Sequence, residues 1–158
     1  MSTGKLTALI DEAIKLEENM AELYTAFHRM FKEGADPGFW WKLALEERSH
    51  AALLQTEKQY GLPGGLFPKD VVATTLGELE EANARVRYQL EQNKSAPPTR
   101  KEALSFALNT EVSAGEYHFQ AALEKKPENR ALELFQKLAD DDRDHARRLR
   151  EYMEQQGF

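Results

Sequence analysis

The sequence predicts an all-α protein: four long helices arranged as two similar pairs, with one further helix in the long connection between them. Three observations carry this. Apolar residues recur at spacings of three and four along most of the chain, the period of a helix with one buried face. Helix-forming residues dominate and β-branched runs are few. Glycine and proline clusters stand where the periodicity stops. With 158 residues, the chain is long enough for one domain, taken as 1–158, with a sizeable core.

The first helix is expected over Leu6–Phe31, where Leu6, Ile10, Ala13, Ile14, Glu17, Met20, Ala21, Tyr24, Phe27 and Phe31 share a face. Gly34-Ala35-Asp36-Pro37-Gly38 ends it. A second helix should run from about Phe39 to about Tyr60 and stop at Gly61-Leu62-Pro63-Gly64-Gly65. A loop containing Pro68 follows. Thr74 or Thr75 then caps a third, more polar helix through about Gln92, which covers the bundle or makes a dimer contact. Ser95-Ala96-Pro97-Pro98 is a break. Thr99 with Glu102 three residues on has the capping-box spacing, and a helix should run from there to about Lys125. Pro127 interrupts, and a last helix fills about Glu128–Gln155.

The two pairs align with each other. AIKLEENMAELY from Ala13 matches ALNTEVSAGEYH from Ala107, placing Glu17 on Glu111. WKLALEERSHAALL from Trp41 matches QKLADDDRDHARRL from Gln136, placing Glu47 on Asp142 and His50 on His145. Each second helix therefore carries an acid three residues before a histidine.

Composition narrows the function classes. Lys and Arg total 21 against 27 Asp and Glu, a net charge of −6, which argues against general nucleic-acid affinity. There is no cysteine, so disulfides, thiolate zinc sites and iron–sulfur clusters are excluded, and a cytoplasmic location is expected. The N-terminal stretch lacks the apolar core of a signal peptide, and no run approaches the roughly 20 apolar residues that span a membrane.

Residues three and four apart share a helix face, so neighbours reveal which acids point inward. Glu17 is flanked by Ala13, Ile14, Met20 and Ala21, and Glu111 by Ala107, Leu108, Ala114 and Gly115. Glu47 is flanked by Leu43, Ala44, His50 and Ala51, and Asp142 by Leu138, Ala139, His145 and Ala146. Their neighbours Glu46 and Asp141 share a face with Lys42 and Lys137, and are assigned to solvated surface, as is Glu18. Buried carboxylates need compensation, and no lysine or arginine lies in these stripes. Two divalent cations would balance four carboxylates. Oxygen and imidazole donors without sulfur suit iron or manganese, and zinc is chemically acceptable. His28, which no acid accompanies, reads as a partly exposed histidine. Phe39, Trp40, Trp41 and Phe135 read as core and interface aromatics, and the basic run RDHARRLR from Arg143 as a solvated helix end.

At Glu17 in LEENMAELY, Glu47 with His50 in EERSH, Glu111 in TEVSAGEYH and Asp142 with His145 in DDRDH, the sequence resembles the rubrerythrin and ferritin-like di-iron carboxylate proteins. Those proteins take a Glu from each of two helices and a Glu-x-x-His from each of two others. The resemblance covers all four long helices and implies a ferritin-like four-helix bundle. It implies two iron ions, with manganese or zinc as substitutes, held by Glu17, Glu47, His50, Glu111, Asp142 and His145. Tyr24 and His118, seven residues beyond Glu17 and Glu111, are expected to orient the carboxylates. The sequence departs from the family in two places. Asp142 stands where Glu is usual, and Ala114 stands where rubrerythrins carry a further Glu, which argues against peroxidase chemistry of the rubrerythrin kind.

The function implied is a di-iron oxidoreductase that reacts with O2 or peroxide, or oxidises ferrous iron, in oxidative-stress or iron handling. With no cysteine-bearing rubredoxin-like domain in the sequence, its electron donor would be a separate molecule, and by analogy it would pair as a homodimer. Two other readings stand beside this one: a shell-forming iron-storage assembly, and a metal-free helical bundle that binds a partner.

Overall fold

A computed structural model describes residues 3–34, 36–65, 75–113 and 130–158. All regular structure among these residues is helical. The helices are α1 (Thr3–Met30), α2 (Phe39–Thr56), α3 (Leu76–Ser95), α4 (Arg100–Glu111) and α5 (Arg130–Gln155). The expected continuation of the fourth helix to Lys125, together with Ala114, His118, Pro127, Pro68 and Thr74, lies outside the described residues.

The second helix changes character before its end. Where the sequence predicts one helix to about Tyr60, α2 stops at Thr56 and Glu57–Gly61 forms a single π-helical turn. Gly65, at φ 69°, supplies the left-handed residue that redirects the chain after it. Among the described residues, no helix is long and apolar enough to cross a membrane.

Helix starts are set by side chains. Thr75 caps α3 and Thr99 caps α4. In both, the threonine hydroxyl accepts from the backbone N–H three residues on, and the glutamate there, Glu78 or Glu102, accepts from the threonine N–H. The last helix ends in a Schellman arrangement. Gly157, at φ 76°, donates to the Glu154 carbonyl, and Phe158 donates to Met153.

α1 packs along both α2 and α3, α4 packs against α5, and α2 meets α5. One core runs through all of them, with Leu23, Phe27, Leu43, Leu54, Leu104, Phe135, Leu138 and Leu149 almost wholly enclosed. The third helix covers the bundle: Leu79, Ala82 and Val86 are buried, and a polar seam fixes its register. Asn19 Nδ2 donates to Asn83 Oδ1 at 2.9 Å, and Asn83 Nδ2 donates to the Glu12 carbonyl at 3.0 Å and to its carboxylate at 2.8 Å. At one end an aromatic layer joins three helices. Trp40 lies 5.6 Å from Tyr24 and 4.9 Å from Phe27 between ring centres, and Phe39 stacks on Tyr152 at 4.2 Å. Trp41 faces outward, beside His28 and under the Arg48 guanidinium.

Replacing Asn83 by Ala leaves the Asn19 amide buried without its partner. This should cost about 1–3 kcal/mol in a denaturant melt, and an unchanged midpoint would remove the seam's role in stability.

Candidate metal centre

Each of the four acids predicted to point inward does so, and both histidines join them. Glu17, Glu47, His50, Glu111, Asp142 and His145 are between 0 and 6% exposed. They come from four helices. α1 presents Glu17 from the middle of its buried stripe, α4 presents Glu111 as its last residue, and α2 and α5 present one acid–histidine pair each. Three residues make just under one helical turn, so the acid and histidine of each pair lie one above the other.

The donor atoms fall into two groups, in each of which all lie within 4.8 Å of one another: Glu17, Glu47, His50 and Asp142; and Glu47, Glu111 and His145. Glu47 belongs to both. Its Oε2 is 3.3 Å from His50 Nδ1, and its Oε1 is 2.9 Å from His145 Nδ1. Around His50 Nδ1 also lie Glu17 Oε2 at 3.5 Å and Asp142 Oδ1 at 3.7 Å, while Glu111 Oε1 is 3.7 Å from His145 Nδ1. The two imidazoles stack, 5.5 Å apart at 19°. Tyr24 donates its hydroxyl proton to Glu111 Oε1, reaching across to α4.

Two residues assigned to solvated surface are part of this arrangement. Asp141 Oδ2 lies 3.3 Å from His50 Nε2, and Glu46 Oε2 lies 3.2 Å from His145 Nε2. Lys137 holds Asp141 at 2.8 Å, and Arg148 pairs with Glu46, which brings part of the basic run into the protein. Both acids are only part-exposed, because each leans across the α2–α5 contact toward the histidine of the other helix. Inspection of same-helix neighbours cannot detect an interaction made with another helix. The sequence does carry a signal, an acid doublet before each histidine in both repeats, EERSH and DDRDH.

Electrostatics show how the metal-free cluster balances its charge. Burial pushes Glu47 up to about 8; His145 pulls it down, but Glu17 and Glu111 add to the rise. Burial, Glu17 and Glu47 likewise raise Asp142 well above the carboxylate range. Burial works to lower both histidines, yet surrounding carboxylates win. Asp141, Glu17 and Glu47 hold His50 protonated, and Glu47, Glu111 and Glu46 do the same for His145. Burial opposes ionisation of Glu46, but His145 and Arg148 overcome it and lower it to about 2. The hydrogen bond to His50, with Lys137, lowers Asp141.

The donor set fits a metal. His50 Nδ1, both ring nitrogens of His145 and Asp142 Oδ2 are buried and lack hydrogen-bond partners, although carboxylate oxygens surround the nitrogens. Donors on opposite sides of one ion stand roughly 4 Å apart, close to the spacing here. With each Nε2 turned toward an outer acid, Nδ1 is the imidazole atom left for a cation. No protein-family model, curated protein or solved structure matches the chain. What fold and site define is thus a protein, all-helical among the described residues, whose buried Glu/Asp/His cluster could hold metal.

Two tests follow from these contacts. In metal-free protein the unfolded chain releases the Glu47 proton near 4.5 and the folded chain near 8, so the folded state holds more protons between them and stability falls as pH rises. The raised histidines act in the same direction above 6.5. Metal binding needs those protons gone. The melting temperature of metal-free protein should therefore fall between about pH 5.5 and about pH 8, while the gain on adding Mn2+ grows; a rise in the metal-free value over that window would contradict the charge assignment. Separately, Glu46→Gln and Asp141→Asn should each lower Mn2+ affinity roughly 10- to 100-fold with helical content intact, and unaltered affinity would make these acids bystanders.

Proposed function

We propose that this chain is a stand-alone di-metal carboxylate protein of the rubrerythrin and ferritin-like kind, binding two iron ions and reacting with O2 or peroxide, or oxidising ferrous iron. The observation that carries the reading is the convergence of Glu17, Glu47, His50, Glu111, Asp142 and His145 from four helices into two donor groups that share Glu47. Four buried carboxylates and two imidazoles match the charge of two divalent cations and the oxygen–nitrogen preference of iron and manganese. The crossed pairs His50–Asp141 and His145–Glu46 support a twofold-related arrangement of repeated helix pairs, as a ferritin-like bundle has.

Two bound ferrous ions would each supply one electron to the oxidant. The chain's contribution is placement. Glu47 stands between the positions and keeps them adjacent. Asp141 and Glu46 hold the two imidazoles with Nδ1 inward. Tyr24 restrains Glu111 and offers a hydroxyl proton beside it. The aromatic layer of Tyr24, Phe27, Phe39, Trp40 and Tyr152 closes one end of the bundle to water. Two surface grooves lie away from the cluster, lined by residues such as Glu18, Thr25, Arg29 and Arg48. The burial of all six donors suits a small oxidant, with electrons arriving from a separate donor.

Elemental analysis of protein purified without chelators should give close to two metal ions per chain, and the air-exposed iron form should absorb in the near-ultraviolet. Glu47→Gln should lower the metal count most among single variants, since that residue serves both groups. Full metal content after joint replacement of Glu17, Glu47, Glu111 and Asp142 would defeat the reading. Sizing distinguishes a homodimer from a storage shell, and a stable, metal-free protein at every iron and manganese concentration would favour a partner-binding bundle.

A further inference from the structure

We infer that the two metal positions are unequal, that the first cation enters the group of Glu17, Glu47, His50 and Asp142, and that the short side chain of Asp142 sets the difference. The inference rests on the di-metal reading above and concerns how this chain divides its donors.

On α2, Glu47 is long enough to turn one oxygen to each histidine, at 3.3 and 2.9 Å. Asp142 occupies the matching position on α5. With one methylene fewer, it brings Oδ1 to 3.7 Å from His50 Nδ1 and joins only that group; the group around His145 does not include it. Among the described residues the first group thus has three carboxylates and an imidazole, and the second has two carboxylates and an imidazole, with Glu47 common to both. Among the described residues, negative charge is concentrated on one side of a centre whose sequence is nearly symmetric.

A second contact biases the centre the same way. Tyr24 donates to Glu111 Oε1, the oxygen that faces His145 Nδ1. A lone pair engaged by a phenolic proton is less available to a cation, so the group already short of a carboxylate has one of its remaining oxygens partly occupied. Nothing similar acts on Asp142 Oδ2, which is buried without a hydrogen-bond partner and adds donor capacity to the first group. In a site screened from water, one more carboxylate is enough to order the binding steps.

The test is an anaerobic titration of chelator-stripped full-length protein with Co2+ alone, read by visible absorption and calorimetry. Two ions should bind in separate steps, the first at least about tenfold tighter, equivalent to about 1.4 kcal/mol. Asp142→Glu should draw the steps together by strengthening the second. Asp142→Asn should weaken the first by at least about tenfold. Glu111→Gln should remove the second step and keep the first. Circular dichroism melts identify any variant that does not fold, and the wild-type titration stands without them. A single affinity for both ions in the wild type overturns the inference but leaves the two-ion centre standing, as does loss of the tight step in Glu111→Gln with its retention in folded Asp142→Asn. No cobalt uptake at all overturns the centre itself.

Discussion

The structure turns on the concentration of like charge in its interior. Moving an ionised carboxylate out of water costs several kcal/mol even after a protein relaxes around it, and here four acids share one small volume. Such a core persists only with compensation. The raised Glu47 and Asp142 and the two protonated histidines show how the metal-free chain provides it: the acids hold their protons and the imidazoles gain theirs. A cation bound there would substitute for those protons. Metal uptake would then draw on the same charge balance as folding, and the surrounding packing of leucines, alanines and aromatics encloses the cluster.

Around that core the helices divide the work. α1 is the hub, packed against α2 along one side and α3 along another, and it contributes both Glu17 and Tyr24. α2 and α5 carry the acid–histidine pairs and grip each other through the outer acids. α3 contributes no donor to either group, but its seam of Asn19, Asn83 and Glu12 holds it over the bundle in one register. This is a use of buried polar groups to specify a packing arrangement, in which every partner counts.

Much of this was legible in the sequence because helical period and burial are local properties. Apolar residues one turn to either side of Glu17, Glu47 and Asp142 are enough to place those acids inward, and the capping-box spacing at Thr99 marks one helix start, while the choice between Thr74 and Thr75 for the third helix is decided by the Thr75–Glu78 capping box. Interactions between helices were not legible by the same means. Glu46 and Asp141 each sit beside a lysine on their own helix, which disguises that each serves a histidine on another. The π-helical turn at Glu57–Gly61 was also hidden, because its residues continue the expected helix and only the backbone hydrogen bonding changes. The split of Glu47 between the two groups depends on angles and distances that residue type does not encode.

The reciprocal grip between α2 and α5 bears on how a cation would leave. His50 is held by an acid of α5, and His145 by an acid of α2, so neither imidazole can swing outward while the two helices stay in contact. A bound cation would then leave as the rods spread, and its residence time would follow how often the scaffold breathes.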